Sequence, residues 1–295
     1  MTIDNYYKSK LLDWIPEEKI EINITWLSAN PTSIYLLEQH PDKINWMWLS
    51  INPVAIHLLE QNKDKIDWDE LSYNSAAIHL LEQNQDKINW MYLSTNPVAI
   101  HLLEQNIDKI IDWFWLLQNP AAIHLIEKNP DKINWYILSC NKNPALIHFY
   151  EQNPDKINWI GLSSNPTAIH LLEQNIDKIY WYALSRNSAA IHLLEQNPDK
   201  IDWSGLSGNP SAIHLLEQNP DKIDWFELSC NRNPAAIHLL EQNLDKQDQF
   251  NWDSLSQNPL AIRLLEQHQD KINWTKLFEN LAIFTYDYDN IAKHR

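Results

Sequence analysis

Three glycines in 295 residues leave no material for a glycine-rich phosphate-binding loop. Two cysteines, Cys140 and Cys230, are too few for a disulfide scaffold and fit a reducing compartment. Basic residues are scarce: 23 Lys and Arg stand against 39 Asp and Glu, a formal net charge of −16. A phosphate-backbone binder needs a basic stripe to release counterions, and an acidic surface is repelled by anionic membranes, so neither nucleic acid nor membrane is an expected partner. No apolar run approaches the ~18 residues of a membrane span. The opening "MTIDNYYKSKLLDWIPEEK" has no apolar stretch of signal-peptide length. A soluble, intracellular, acidic protein is the expectation. Neither a G-x-S-x-G elbow nor a C-x-x-C pair occurs. The carboxylates recur in identical copies beside Lys or at caps, unlike a glycosidase pair, which needs one specific separation. No catalytic residue, no cofactor and no enzymatic activity are expected.

What the chain has in abundance is repetition, with 15 tryptophans and 44% hydrophobic residues. "NPVAIHLLEQN" stands at 52–62 and again at 96–106, and near copies recur throughout. Aligned on the Trp of "INW" or "IDW", as at Trp46, Trp68 and Trp90, most steps are 22 residues. A search for such periods precedes any other fold argument. Eleven full units run over residues 24–273, with an N-terminal cap over 1–23 and a truncated repeat with a C-terminal cap over 274–295. The longer steps are insertions: "DKIIDW" before Trp113, "LSCNKNP", "LSCNRNP" and "DKQDQFNW" before Trp252. Insertions that spare the motif mark loops.

Each unit predicts two short helices. Asn52 is a good N-cap with Pro53 at the first helical position, and Ala55, Ile56, Leu58 and Leu59 form one apolar stripe. Asn62 stands where a left-handed C-terminal cap is common. In "IDWDELS", Asp67 and Glu70 have the spacing of a capping box. Helices this short cannot bury their stripes alone, but stacked units can, which predicts an all-α solenoid. The alternative is a horseshoe of leucine-rich-repeat type, suggested by the period and "LSxN". Against it, Asp69, Ser204, Asp253 and Thr275 put polar residues where a strand would be apolar. At the ends, Leu11, Leu12, Trp14 and Ile15, and then Ile283, Phe284, Tyr286 and Tyr288, are expected to cover the exposed faces of the array.

Nine histidines share one place in the motif: His57, His79, His101, His124, His148, His170, His192, His214 and His238. On a helical wheel they fall opposite the apolar stripe, within reach of the Glu three residues on, as His57 is of Glu60. Two nitrogens sharing one zinc must each lie ~2.0–2.1 Å from it, whereas stacked units are ~8–10 Å apart, so no metal is expected. Hydrogen bonding along the stack is the plain reading. A pH-responsive ladder is the sharper one, since imidazoles beside carboxylates could charge together. Cys140 and Cys230 are four units apart, on the order of 40 Å, beyond disulfide reach.

The two residues after each repeat tryptophan vary while the framework stays fixed. Trp48, Tyr92, Trp115, Tyr136, Tyr182 and Phe226 fall there and are of the types enriched at protein interfaces. They are a candidate partner-binding strip, or else they fill gaps between units.

Written out as "DKINWxxLSxNPxAIHLLEQNP", the motif resembles short repeat proteins encoded in large paralogous sets by giant DNA viruses of amoebae. The "LLDWIP" opening and "IFTYDYD" close are similar to the ends of those proteins. The resemblance implies a viral protein in an infected host cell, in the cytoplasm, virus factory or virion, and implies no activity. A non-enzymatic scaffold that binds a host or viral protein is the expectation. A self-associating assembly component, of virion or inclusion body, is the alternative.

Overall fold

The computed structural model describes residues 9–16, 18–19, 24–110 and 112–286. The repeats form an all-α solenoid of short helices. The unit around Trp68 shows the plan: a helix over Trp68–Tyr73, a 3₁₀ turn over Ser75–Ala77, a helix over Ile78–Gln83 and a second 3₁₀ turn over Gln85–Lys87. Among the described residues the only strands are β1 (Ser9–Leu11) and β2 (Phe284–Tyr286), so no repeat is built as a horseshoe strand.

Two boundaries differ from the sequence expectation. The first helix begins at Ile rather than at Asn-Pro, because the Asn side chain accepts from the amide two residues on (Ala76 N to Asn74 Oδ1, 3.0 Å) and draws the backbone into a 3₁₀ turn. Only the copy at Pro234–Gln242 is helical from the proline onward. At the other end, Asn84 is not left-handed (φ −136°, ψ 50°), and no described residue has positive φ. Its Nδ2 instead donates to Leu80 O at 2.8 Å, capping a carbonyl that the helix end leaves open.

The repeats are pinned together by two polar side chains in the core. Ser72, fully buried, donates to Trp68 O (2.8 Å) in its own helix and accepts the Asn89 amide of the next unit (3.1 Å). The same bond takes the Asp67 amide onto Ser50 Oγ at 3.1 Å. Asp67 still caps Glu70 N (3.1 Å), but the serine occupies the amide to which a capping-box glutamate would bond. Burial, then the charges of Asp67 and Asp69, push the Glu70 carboxyl above its usual range. Asn74 holds its own turn with Oδ1 and donates Nδ2 backward to Ser50 O (2.9 Å) and Asn52 O (3.2 Å). In "CNKN" the insertion divides these tasks: Asn141 reaches back to Leu117 O at 2.6 Å, and Asn143 caps Ala145 N at 3.0 Å. Around these pins sit fully buried apolar side chains such as Leu71, Ala77 and Leu81. Replacing Ser72 by Ala leaves the part-buried Asn89 amide without its acceptor. A loss of about 1–2 kcal/mol in urea unfolding is expected, and a change of a few tenths would contradict the pin.

Outside the core, several repeat tryptophans, among them Trp46, Trp68, Trp135, Trp159 and Trp203, carry a lysine from the following unit over the ring. Lys65 stands 4.6 Å from Trp46, Lys87 4.5 Å from Trp68 and Lys222 4.4 Å from Trp203. At exposed sites such a contact contributes about 0.5–1 kcal/mol.

The chain divides into two compact units, one of Met1–Leu102 with Trp252–Arg295 and one of Leu103–Asn251. In the first, the expected caps do not sit at separate open ends; they meet. β1 and β2 pair antiparallel, Leu11 opposite Phe284, and the Leu12 amide donates to Ile283 O at 2.9 Å. Asn30 Nδ2 donates to Phe278 O (3.3 Å), the same bond that Asn52 makes to Ser28 O (3.0 Å) one step further on. Trp14 lies 6.5 Å from Trp274, and Lys19 stands over Trp274 at 5.6 Å, as the other lysines do over theirs. The repeat opened at Trp274 lacks its own "LLEQNPDK", and residues 11–16 and 18–19 take that place. Ile15, Phe278 and Ile283 are buried at this junction. Tyr288 lies outside the described residues.

The second unit carries both "CN" insertions. There Tyr150 replaces the second leucine of the motif, is fully buried, and donates its hydroxyl to Leu138 O. Burial pushes its phenol well above the ordinary range.

Candidate functional site

The variable pair after each tryptophan opens a helix of four to six residues, and its two positions have different surroundings. One residue is a turn of ~100° from the next, so only the first faces outward. Met47, Met91, Phe114, Tyr136, Ile160, Tyr182 and Phe226 occupy that first position and are exposed, Tyr136 by 52% and Phe226 by 54%. The second position is half-buried or buried, at Trp48 and Tyr92 against an aromatic ring of the neighbouring repeat. Trp48 lies 5.8 Å from Trp26, and Tyr92 stacks on Tyr73 at 4.4 Å. Trp115 meets Phe114 edge-on at 5.1 Å. The six candidate strip residues therefore divide. Tyr136, Tyr182 and Phe226 form part of an outward row, while Trp48, Tyr92 and Trp115 are half-buried against other aromatics.

Within residues 103–251 the row is flanked by two adjoining clefts that share Cys140 and Lys142. One, of about 690 Å³, is lined by Phe114, Pro120, Ile137 and Pro144. The other, of about 400 Å³, is lined by Tyr136, Ile160, Tyr180, Tyr182 and Arg186. Tyr180 holds the N-cap place of the helix Trp181–Ser185 and makes no side-chain cap bond. Arg186 donates Nη1 to Glu227 at 2.9 Å, reaching across the repeat that carries Gly205 and Gly208. A Cβ on Gly208 would come 3.3 Å from Arg186 Nη2, and one on Gly205 would meet Tyr182 O at 2.9 Å. These glycines make room for the arginine and for the neighbouring backbone. Although burial alone would lower the Arg186 pKa, its contacts with Glu227 and Tyr182 outweigh that and raise it.

The histidines form a ladder between units rather than within helices. His57 Nε2 lies 3.0 Å from Glu38 Oε1, His79 2.9 Å from Glu60 and His101 2.8 Å from Glu82. His124 pairs with Glu104, and His148, His170, His192 and His214 with Glu127, Glu151, Glu173 and Glu195. His238 departs: its Nδ1 is 3.9 Å from Glu241 on its own helix, and its Nε2 meets the Gln242 amide at 2.8 Å. Glu60, expected to serve His57, serves His79. With side chains such as His101 and Glu82 43% and 45% exposed, each pair contributes between nothing and about 1 kcal/mol.

Cys140 and Cys230 are free and half-buried. Burial pushes the Cys140 thiol up, against thiolate chemistry. Among the described residues, no three His, Cys, Asp or Glu side chains converge on one point where a metal ion could sit, and no helix is long and apolar enough to cross a membrane.

Two sets of residues escaped the sequence reading. The Ser and Asn pins were visible only as the fixed letters of "LSxN". The lysine over a tryptophan was signalled by a recurrent spacing whose meaning needs the stacking of neighbouring repeats. Comparison with protein-family models, with curated proteins and with solved structures found no match to this chain.

Proposed function

We propose that the chain is a non-enzymatic repeat scaffold that binds another protein through the outward row after the repeat tryptophans. One observation carries this reading: Phe114, Tyr136, Ile160 and Tyr182 are exposed in four successive repeats while the surrounding framework is held constant. Contiguous exposed apolar side chains cost solubility and are the usual mark of an interaction site. The setting that the resemblance implies is an infected host cell, with a host or viral protein as partner.

The test is the triple substitution Tyr136→Ser, Tyr182→Ser and Phe226→Ser. Because these side chains already face water, the melting temperature should hold within about 2 °C, while proteins cross-linked to the wild-type chain in infected cells disappear. The parallel triple, Trp48→Ser, Tyr92→Ser and Trp115→Ser, should melt well below wild type through lost aromatic packing of half-buried rings. Equal cross-linking by the first triple and by wild type would sink the reading. Concentration-dependent self-association on size-exclusion chromatography, lost in that triple, would point instead to an assembly component.

A further inference from the structure

Resting on that scaffold reading, we infer that the two adjoining clefts within residues 103–251 bind an extended acidic peptide. Its apolar side chains lie against Tyr136, Ile160, Tyr180 and Tyr182, and its carboxylates meet Lys142 and Arg186.

Charge supplies the first support. The chain carries 39 acidic residues against 23 basic ones, yet neither cleft is lined by a single carboxylate, and the pair contains two cations. Lys142 enters with the "CNKN" insertion, is exposed, and makes no ion pair among the described residues. Arg186 spends Nη1 on Glu227, and its guanidinium has further N–H groups to offer. With Glu227 held by Arg186 and no carboxylate in either lining, a carboxylate ligand meets less repulsion here than over the rest of this acidic surface.

The second support is a departure from the repeat. Where the other units carry Asn or Asp before the tryptophan, this one carries Tyr180. The substitution forfeits a cap, which destabilises the helix, and the ring gains little burial in return, being 47% exposed beside Tyr182 at 6.2 Å. A residue that weakens its own unit while presenting an aromatic face at the cleft is accounted for by what it touches from outside.

Size and charge select the ligand class. From Phe114 to Tyr182 the row spans three repeat steps, roughly 25–30 Å at helix-packing spacing. An extended strand covers that distance with about eight residues. Single-stranded nucleic acid also stacks on aromatics, but it brings a phosphate per nucleotide and needs a cationic groove along its length. Two cations on a chain of net charge −16 do not make one.

The test is selection of a displayed library of ten-residue random peptides on the full chain, followed by calorimetric titration of the best sequence. Enriched peptides should combine Asp or Glu with Leu, Phe, Trp or Tyr. Lys142→Glu should weaken the best peptide about tenfold. Tyr180→Asn should weaken it to a similar degree while raising the melting temperature by about 2 °C, because it restores the cap. Neutral or basic winners, or affinities unmoved by both variants, would overturn the acidic-peptide assignment. If such winners were lost in the Tyr136, Tyr182 and Phe226 triple, the scaffold reading would survive alone. No enrichment at all would overturn the acidic-peptide assignment, while the scaffold reading stands or falls by the cross-linking of the Tyr136, Tyr182 and Phe226 triple. Tighter binding of an oligouridylate, weakened by the same two variants, would replace the peptide with nucleic acid.

Discussion

Removing residues 1–19 is expected to lower the melting temperature by on the order of 10 °C and to deprotect backbone amides of residues 274–286. Within that segment, residues 9–16 and 18–19 complete the repeat that begins at Trp274. Their deletion strips β2 of its partner strand and uncovers Trp274, Phe278 and Ile283. Ile15 is buried, and Leu11, Leu12 and Trp14 are half-buried. At about 1.5–3 kcal/mol for a fully buried side chain, the group contributes about 5 kcal/mol. In a chain of this size 1 kcal/mol moves the midpoint by about 2 °C. Hydrogen exchange read by mass spectrometry over 24–51 and 274–286 localises the effect. Unchanged exchange there would mean that the paired segments add nothing. Substitutions at Trp14 separate packing from polarity. Its Nε1 is buried without an acceptor among the described residues. Trp14→Phe discards that unpaired donor and should be nearly neutral, whereas Trp14→Ala loses the contact with Trp274 and should cost about 2–3 kcal/mol.

The second large effect belongs to the asparagine pin. Asn52 is fully buried; Oδ1 accepts the Val54 amide at 3.1 Å, and Nδ2 donates to Ser28 O at 3.0 Å and Asn30 O at 3.1 Å. Asn52→Ala removes the cap and leaves two carbonyls short of a donor, so a loss of about 3 kcal/mol is expected. Asn52→Asp is the more telling variant. An aspartate keeps the cap but turns a carboxylate toward two carbonyl oxygens without water, which raises its folded-state pKa above the unfolded value of about 3.9. With the folded pKa raised, the native state holds its proton longer than the unfolded chain. Stability is therefore retained below about pH 4 and declines as pH rises through the folded pKa. Urea midpoints of wild type and Asn52→Asp should converge toward acid and separate toward neutrality. Parallel curves would show that Nδ2 is not the group that matters.

Much of this architecture could be read from letters alone. The period, the apolar stripe and the Asn-Pro starts led to stacked short helices because each is a local consequence of side-chain chemistry. The histidine ladder was placed on the correct face but joined to the wrong partner. On an isolated helix Glu60 is the neighbour of His57; once units stack, Glu38 is the better aligned. The pair of positions after each tryptophan stood out by its variability, yet within it Trp48 and Tyr136 parted company. Which of two adjacent residues faces outward depends on how the helix is rolled against the next unit, and no local pattern records that. "LLDWIPEEK" at 11–19 visibly echoes "LLEQHPDK" at 36–43, but its partner lies at the far end of the sequence.

That separation has a consequence in time. Leu11 and Phe284 are paired across roughly 270 residues, so closing this one repeat carries a loop entropy of about 5 kcal/mol before any contact forms. During synthesis at about 5–20 residues per second, Leu11, Leu12, Trp14 and Ile15 emerge roughly 15–55 s before the strand that receives them. Every interior repeat can dock on a neighbour just made, but this one must wait. For that interval the nascent chain carries an uncovered apolar segment, a natural target for a chaperone.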